Sequence, residues 1–289
     1  MNLAIDHING HLSQPLRLTD LAEVAELSPF HFHRIFQMLA GATPQDFVKR
    51  LRLERALSLI CTTKRLSITR IALQCGFASS SDFSRSFKQR YGASPSSFDT
   101  AAWKRTHRGE LESLMRRPSG GSAVTSLPAA ANPDGFSVRI RDLPPRTLAS
   151  IRVPNPYQGT NVTDAAGRLL EWARRHSAER AQWLGYQWDN PEIASLEDCQ
   201  YHVAVEADLT RSRGEISRVR FPAMVVAQVT IRGSIELELR ALQWLYGTWL
   251  PRSGYVPDDY PCFEAWIGLP FAHGTQHFEL HVQLPIKKW

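Results

Sequence analysis

The sequence predicts two domains: an all-α N-terminal domain of two helix-turn-helix units, then an α+β domain with a mostly antiparallel sheet. Three observations carry this reading. A short block of residues near the N-terminus returns at an offset of 51. A stretch rich in Pro, Gly and Ser interrupts the chain at residues 117–135. Beyond it the pattern changes to alternating and β-branched runs, whose order repeats once.

The first block is Phe32-His33-Arg34-Ile35-Phe36, which returns as Phe83-Ser84-Arg85-Ser86-Phe87. Gly41 to Pro44 with Phe47 returns as Gly92 to Pro95 with Phe98, also at 51. Upstream, Leu21-Ala22 with Ala25 matches Ile71-Ala72 with Cys75 at an offset of 50, so one residue separates the two registers. A repeat this short is one supersecondary unit used twice. Its contents, small helix, tight turn and second helix, describe the helix-turn-helix, which lays its second helix in the DNA major groove.

Residues 1–108 read as helical. Thr19 and Ser28 are expected N-caps, and Pro29 suits a first helical position. Helix 29–40 places Phe32, Ile35, Phe36 and Leu39 on one side, with Phe30, His33, Arg34 and Gln37 opposite. A longer helix from 44 or 45 to 60 joins the two units. Ser67 starts the second unit and Gly76 turns the chain between its helices. In that unit Phe83 and Phe87 face inward, while Ser81, Arg85, Lys88 and Gln89 face away. Ser79 followed by Asp82 reads as a capping box.

A polar face of this kind has the chemistry for groove contact. An arginine such as Arg34 forks onto guanine or phosphate, and Gln37 and His33 can reach base edges. Most single amphipathic helices bind no DNA, so the tandem arrangement carries the argument. Charge agrees with it. Residues 1–118 hold 17 Lys+Arg against 10 Asp+Glu, and residues 119–289 hold 17 against 18. The basic excess lies in the repeat half, where phosphate neutralisation would need it.

Residues 109–133 are expected to be a flexible linker. Then strands are predicted at 136–141, 147–153, 185–188, 201–207, 216–221, 224–231, 263–268 and 278–284. Helices at 162–176 and 235–249 fall among them. The order is β-β-α-β-β followed by β-β-α-β-β, which predicts a duplicated domain at 134–289 with both helices packed on the sheet.

Bulk properties narrow the function. A length of 289 residues, with 43% hydrophobic and 21% charged, describes an ordinary globular protein of about two domains. No apolar run is long enough to span a bilayer, and residues 1–10 show no secretory signal. Cys61, Cys75, Cys199 and Cys262 are scattered without a CxxC pair, which points to a reducing cytoplasm and away from disulfides or a zinc site. No catalytic set, cofactor or metal is expected.

Residues 19–98 resemble the DNA-binding domain of the AraC/XylS family of bacterial transcription regulators. The match rests on Ser28 to Phe36, Gly41 to Pro44 with Phe47, and Arg52 to Leu59. In the second unit it rests on Ile71-Ala72, Gly76-Phe77, Ser81, Phe83, Arg85, Phe87-Lys88, Gly92 and Pro95. The resemblance implies that Phe30, His33 and Arg34 are readers in the first unit, and Ser80, Ser81, Asp82 and Arg85 in the second. It implies promoter DNA as partner, with RNA polymerase beyond it.

Residues 136–289 resemble the GyrI-like effector-binding domain. That match rests on the duplicated order, Trp183 to Tyr186, Cys199 to Val205, and Cys262-Phe263-Glu264-Ala265-Trp266. The resemblance implies an acid at Glu264 inside an aromatic pocket that receives cationic or electron-poor small molecules. Trp266 shares a strand face with Glu264 and Cys262. Trp188, Tyr157, Trp244 and Phe136 are the other expected lining residues. An effector-responsive regulator is therefore the leading reading. A GyrI-like hydrolase, with Glu264 as base, and a protein-interaction module are the alternatives.

Overall fold

The computed structural model describes residues 1–62, 66–114, 132–188, 196, 199–209 and 214–288. The chain divides into two compact units at His107. Among the described residues no helix is long and apolar enough to cross a membrane.

The helical half holds α1 (Asn2–Gly10), α2 (Leu18–Val24), α3 (Pro29–Ala40), α4 (Pro44–Thr62), α5 (Ile68–Gln74), α6 (Ser80–Tyr91) and α7 (Thr100–Leu114), the first unit ending within α7. The sequence repeat is a structural repeat. Helices α3 and α6 are each 12 residues long, start at a serine cap (Ser28, Ser79) and end at a left-handed glycine (Gly41, Gly92). Each serine hydroxyl accepts from the backbone N–H three residues on, which satisfies one of the helix's orphan donors. The turns before them also correspond. Leu27 N–H bonds Ala22 C=O, and Phe77 N–H bonds Ala72 C=O. The left-handed turn residue is Glu26 in the first unit and Gly76 in the second.

Two cores result, and α4 serves both. Phe47, Val48 and Leu51 join Phe32 and Phe36 in one cluster. Leu53, Ala56, Leu57 and Leu59 join Phe83 and Phe87 in the other. The four repeat phenylalanines have no solvent exposure. Glu54, on the same helix, is buried between Arg50 and Arg90, at 3.3 and 2.8 Å, and so ties α4 to α6.

Three expectations for this half need correcting. Thr19 is not a cap: α2 begins at Leu18 behind Arg17, and the Thr19 hydroxyl donates to Asp20. Leu39 is 65% exposed: α3 buries Phe32 and Phe36, and its last turn meets the core through Ala40 instead. Helix α7 runs to Leu114, so residues 109–114 are helical and not linker. Residues 115–131 of the expected linker lie outside the described residues.

The second unit holds one antiparallel sheet and two helices. Its strands are β1 (Arg139–Leu143), β2 (Arg146–Pro154), β3 (Trp183–Gln187), β4 (Gln200–Glu206), β5 (Ile216–Phe221), β6 (Met224–Gly233), β7 (Tyr255–Pro257), β8 (Phe263–Trp266) and β9 (Phe278–Lys288). Its helices are α8 (Asn161–Arg175) and α9 (Ile235–Trp244), the latter continuing as a π-helical turn, Leu245–Trp249. The spatial order is β1-β6-β9-β8-β3-β4-β2-β5, with β7 against β9. Exchange β1 with β5, β2 with β6, β3 with β8 and β4 with β9, and the same order returns reversed. The predicted duplication is therefore a pseudo-twofold about the β3–β8 seam. The first strand of each half pairs into the other half's sheet.

That symmetry positions the site. Helix α8 lies chiefly on β2 and β4, and α9 on β6 and β9. The central strands β3 and β8 are left between the two helices. The domain is closed at its start by Asp134, whose carboxylate accepts two bonds from Arg240 of α9 at 2.7 and 2.8 Å. Phe136 precedes β1 instead of lying in it, held through its backbone by the Asn132 amide.

Candidate functional site: an exposed helix face and a buried acid cluster

On α3, Phe30 is 65% exposed, Arg34 and Gln37 are exposed, and His33 is half-buried. The Arg34 guanidinium sits over the Phe30 ring, 5.6 Å from its centroid. Cation–π contact here holds a long side chain partly ordered on the outer face. On α6, Ser81, Asp82 and Arg85 are exposed and Ser80 is half-buried. Asp82 lies in the first helical turn, where its charge complements the helix dipole.

The two faces are presented by a common frame. Arg52 of α4 donates to the Leu12 and Gln14 carbonyls at 3.0 and 2.7 Å. Gly76 passes against this strap, its missing Cβ occupying space beside the Leu12 carbonyl and 2.9 Å from Arg52 Nε. The turn of the second helix-turn-helix therefore rests on the α1–α2 loop that precedes the first. Sequence reading gave Gly76 its turn but not this contact, which joins residues 64 positions apart.

In the second domain, Glu264 of β8 lies on the helix-facing side. Tyr201 of β4 donates its hydroxyl to Glu264 Oε2 at 2.5 Å. Trp266, two residues along β8, shares this face. Glu238 of α9, 5% exposed, is near enough to feel the charge of Glu264. Cys262 and Tyr246 stand beside each other at the edge of this cluster. Gly185 of β3, directly across from Glu264, leaves the room: a Cβ there would meet the Tyr201 hydroxyl and lie 2.6 Å from Glu264 Oε2.

Glu264, Tyr201, Cys262 and Tyr246 all keep partial solvent contact while protein packs closely around them. An open cavity of about 470 Å³ is lined by Leu170, Arg174, Gln182, Trp266 and Leu269, among others, and reaches the cluster at Trp266 but not at Glu264.

Burial sets the electrostatics. Desolvation pushes the Glu264 carboxyl up to about 7, against the opposing hydrogen bond from Tyr201. Desolvation, then the adjacent Glu264, holds Glu238 well above the usual carboxylate range. Burial and the two acids likewise keep the Cys262 thiol protonated. Among the described residues neither acid has a cationic partner. The same residues contain no cluster of metal-ligating side chains.

The expected lining residues divide. Trp266 is in the cluster. Tyr157 stands beside it, its hydroxyl donating to Gln187, the cross-strand partner of Tyr201. Phe136 and Trp244 pack on each other at 5.8 Å and form their own buried pair. Trp188 is on the wrong face. Strand alternation points Gly185 toward the helices, so Trp188, three residues on, falls opposite. There it packs with Tyr260, in the cluster of Tyr186 and Phe263. Sequence reading missed Tyr201 and Glu238. Glu238 was visible as an acid on the buried face of α9, three residues before Ala241 and seven before Leu245.

Comparison with known proteins now has geometry to attach to. A GyrI-like small molecule binding domain model matches residues 136–287, more than half of the chain. The chain belongs to the GyrI-like family. A helix-turn-helix domain model matches residues 21–101, and this part is AraC-type. The DNA gyrase inhibitor of Edwardsiella piscicida is 32% identical over 162 residues, covering 53% of this chain and 99% of that protein. The probable transcriptional regulator LumQ of Photobacterium leiognathi is 35% identical over 98 residues, 34% of this chain and 39% of that one. The HTH-type transcriptional regulator CdhR of Pseudomonas aeruginosa is 38% identical over 92 residues, 32% of this chain and 27% of that one. The chain thus spans well under half the length of these two regulators. Among solved structures, an AraC-type transcriptional regulator of Chromobacterium violaceum overlays 33% of this chain and 84% of its own, at TM-score 0.31 and 29% identity.

Proposed function

We propose that the protein is a transcription regulator in which the tandem helix-turn-helix domain reads promoter DNA and the GyrI-like domain binds a small cationic effector. The observation that carries the effector half is Glu264, bonded to Tyr201 on the helix-facing side of the sheet, partly open to solvent and, among the described residues, without a salt-bridge partner. An acid so placed pays for desolvation, and a ligand cation compensates it, with aromatic faces adding attraction. Phe30, His33, Arg34, Gln37, Ser80, Ser81, Asp82 and Arg85 are the proposed DNA contacts. RNA polymerase is the proposed partner at the promoter, and the cytoplasm the proposed location. Binding without turnover is the reading for the Glu264 site. Its thiol is held protonated and so is a poor nucleophile, and His202 stacks on Tyr186, whose side chain belongs to the cluster of the opposite sheet face.

A second reading has its own support. The second domain matches a DNA gyrase inhibitor over 99% of that protein's length, which favours a macromolecular partner for this domain.

Selection from a random duplex pool tests the regulator reading. Purified full-length protein should enrich a site with two half-sites roughly one helical turn (~10 bp) apart. Arg34→Ala should relax preference at one position, at a cost of about 1–3 kcal/mol there. No enrichment by folded protein would contradict the reading. A uniform loss across all sequences in Arg34→Ala would make Arg34 a phosphate contact only.

A further inference from the structure

The open cavity of about 470 Å³ has the volume of an ordinary small-molecule site. Glu264 does not line it, so the acid does not account for it. Its walls are held in place. Phe271 and Phe278 pack on the Trp266 ring at 4.9 and 5.7 Å. Gln182 donates to the Trp183 and Trp266 carbonyls, both at 2.8 Å, and ties the segment before β3 to β8. The Trp183 indole donates to the Glu179 carbonyl at 3.0 Å. Beyond Trp266 the wall continues as Gly268 and Leu269, and Phe271 follows at φ 57°. A bulky residue keeps that conformation only where its surroundings hold it, and here the Trp266 ring does.

Two kinds of chemistry line the cavity. Leu170, Trp266 and Leu269 offer an apolar surface with one flat aromatic member, and Leu269 is among the few large apolar side chains left exposed. Arg174 and Arg180 face the same space with Glu179, two guanidinium groups against one carboxylate. Arg174 Nε and Glu179 Oε2 are 3.9 Å apart, too far for a hydrogen bond. Arg180 has no ion pair among the described residues. One further carboxylate would balance the charge and match the planar fork of a guanidinium.

We propose that this cavity is a second ligand site of the domain, and that it takes a flat aromatic monocarboxylate. The ring lies against Trp266 with Leu170 and Leu269 beside it, and the carboxylate lies between Arg174 and Arg180. Glu179 keeps the excess to one positive charge, which favours a monoanion over a dianion. The site goes beyond the cation reading of Glu264 and does not depend on it.

Titration calorimetry of the full-length protein tests this, with 2-naphthoate set against its near-isosteric neutral amide, 2-naphthamide. At low salt the acid should bind about five- to tenfold tighter than the amide, on the scale of a guanidinium–carboxylate contact in a half-open site. Added salt should narrow the gap. Arg174→Gln with Arg180→Gln, both at exposed positions, should close it and leave amide binding unchanged. Leu269→Glu should weaken the acid and spare the amide. Glu264→Gln should leave 2-naphthoate binding as it is while weakening benzyltrimethylammonium, so this proposal and the cation reading fail separately. Equal affinity for acid and amide, or a gap that survives in the double variant, would overturn the site. So would a change of 2-naphthoate affinity in Glu264→Gln as large as in the arginine variant, which would put the anion at the acid instead.

Discussion

Gly76→Ala is expected to destabilise the N-terminal domain by about 2–5 kcal/mol, enough to abolish DNA binding near physiological temperature. Two costs add. Gly76 has φ +83°, where a Cβ costs roughly 1–2 kcal/mol. The new methyl also meets the Leu12 carbonyl and Arg52 Nε, and backbone cannot swing aside as a side-chain end can. Gly41 and Gly92 are the controls: both have positive φ, but nothing lies within 4 Å of an added Cβ. Their alanine variants should show the conformational cost alone. Denaturant melts of the three variants separate the terms, and a Gly76→Ala loss no larger than the other two would refute the strap. Glu26 holds the corresponding turn position at φ 57°, where exposure leaves room for an ordinary side chain.

Glu264→Gln is expected to act in opposite directions on ligand and fold. Removing one full charge from the site should weaken a monocation by about 100-fold, on the scale of a unit-charge contact at intermediate dielectric, and leave a neutral isostere unaffected. Stability should change with pH. The folded-state carboxyl titrates near 7, above its ordinary value of 4.5. Its contribution is therefore fully present below about 4.5 and lost as pH rises through 7. The Gln variant lacks this loss, so it should melt higher than the parent at about pH 8, by of order 1–3 kcal/mol, and about the same at pH 4. A variant less stable at both pH values would show that Glu264 is structural.

Local signals in the chain were legible and distant ones were not. Ser28, Ser79, Gly41 and Gly92 are caps because of what lies within four residues of them, and the repeat phenylalanines follow helical period. The helix-facing phase of β8 was also readable, which placed Glu264 and Trp266 together. Trp188 was misplaced because strand phase needs a correct starting residue, and Gly185 gave it too late. Leu39 follows the period of α3, but periodicity does not say which residue of the last turn meets the core. The Tyr201–Glu264 bond spans 63 residues and depends on the β4-β3-β8 strand order. No spacing in the chain encodes that order. Gly185 looked like an ordinary strand glycine until register set it opposite Glu264.

The central claim is that a cation in the second domain changes how the first engages DNA. DNA affinity of the full-length protein, measured at fixed salt with and without saturating benzyltrimethylammonium, tests it most directly. The expected result is a shift of about 5–150-fold, in either direction, that disappears in Glu264→Gln. Cation bound at Glu264 with DNA affinity unchanged would contradict the claim.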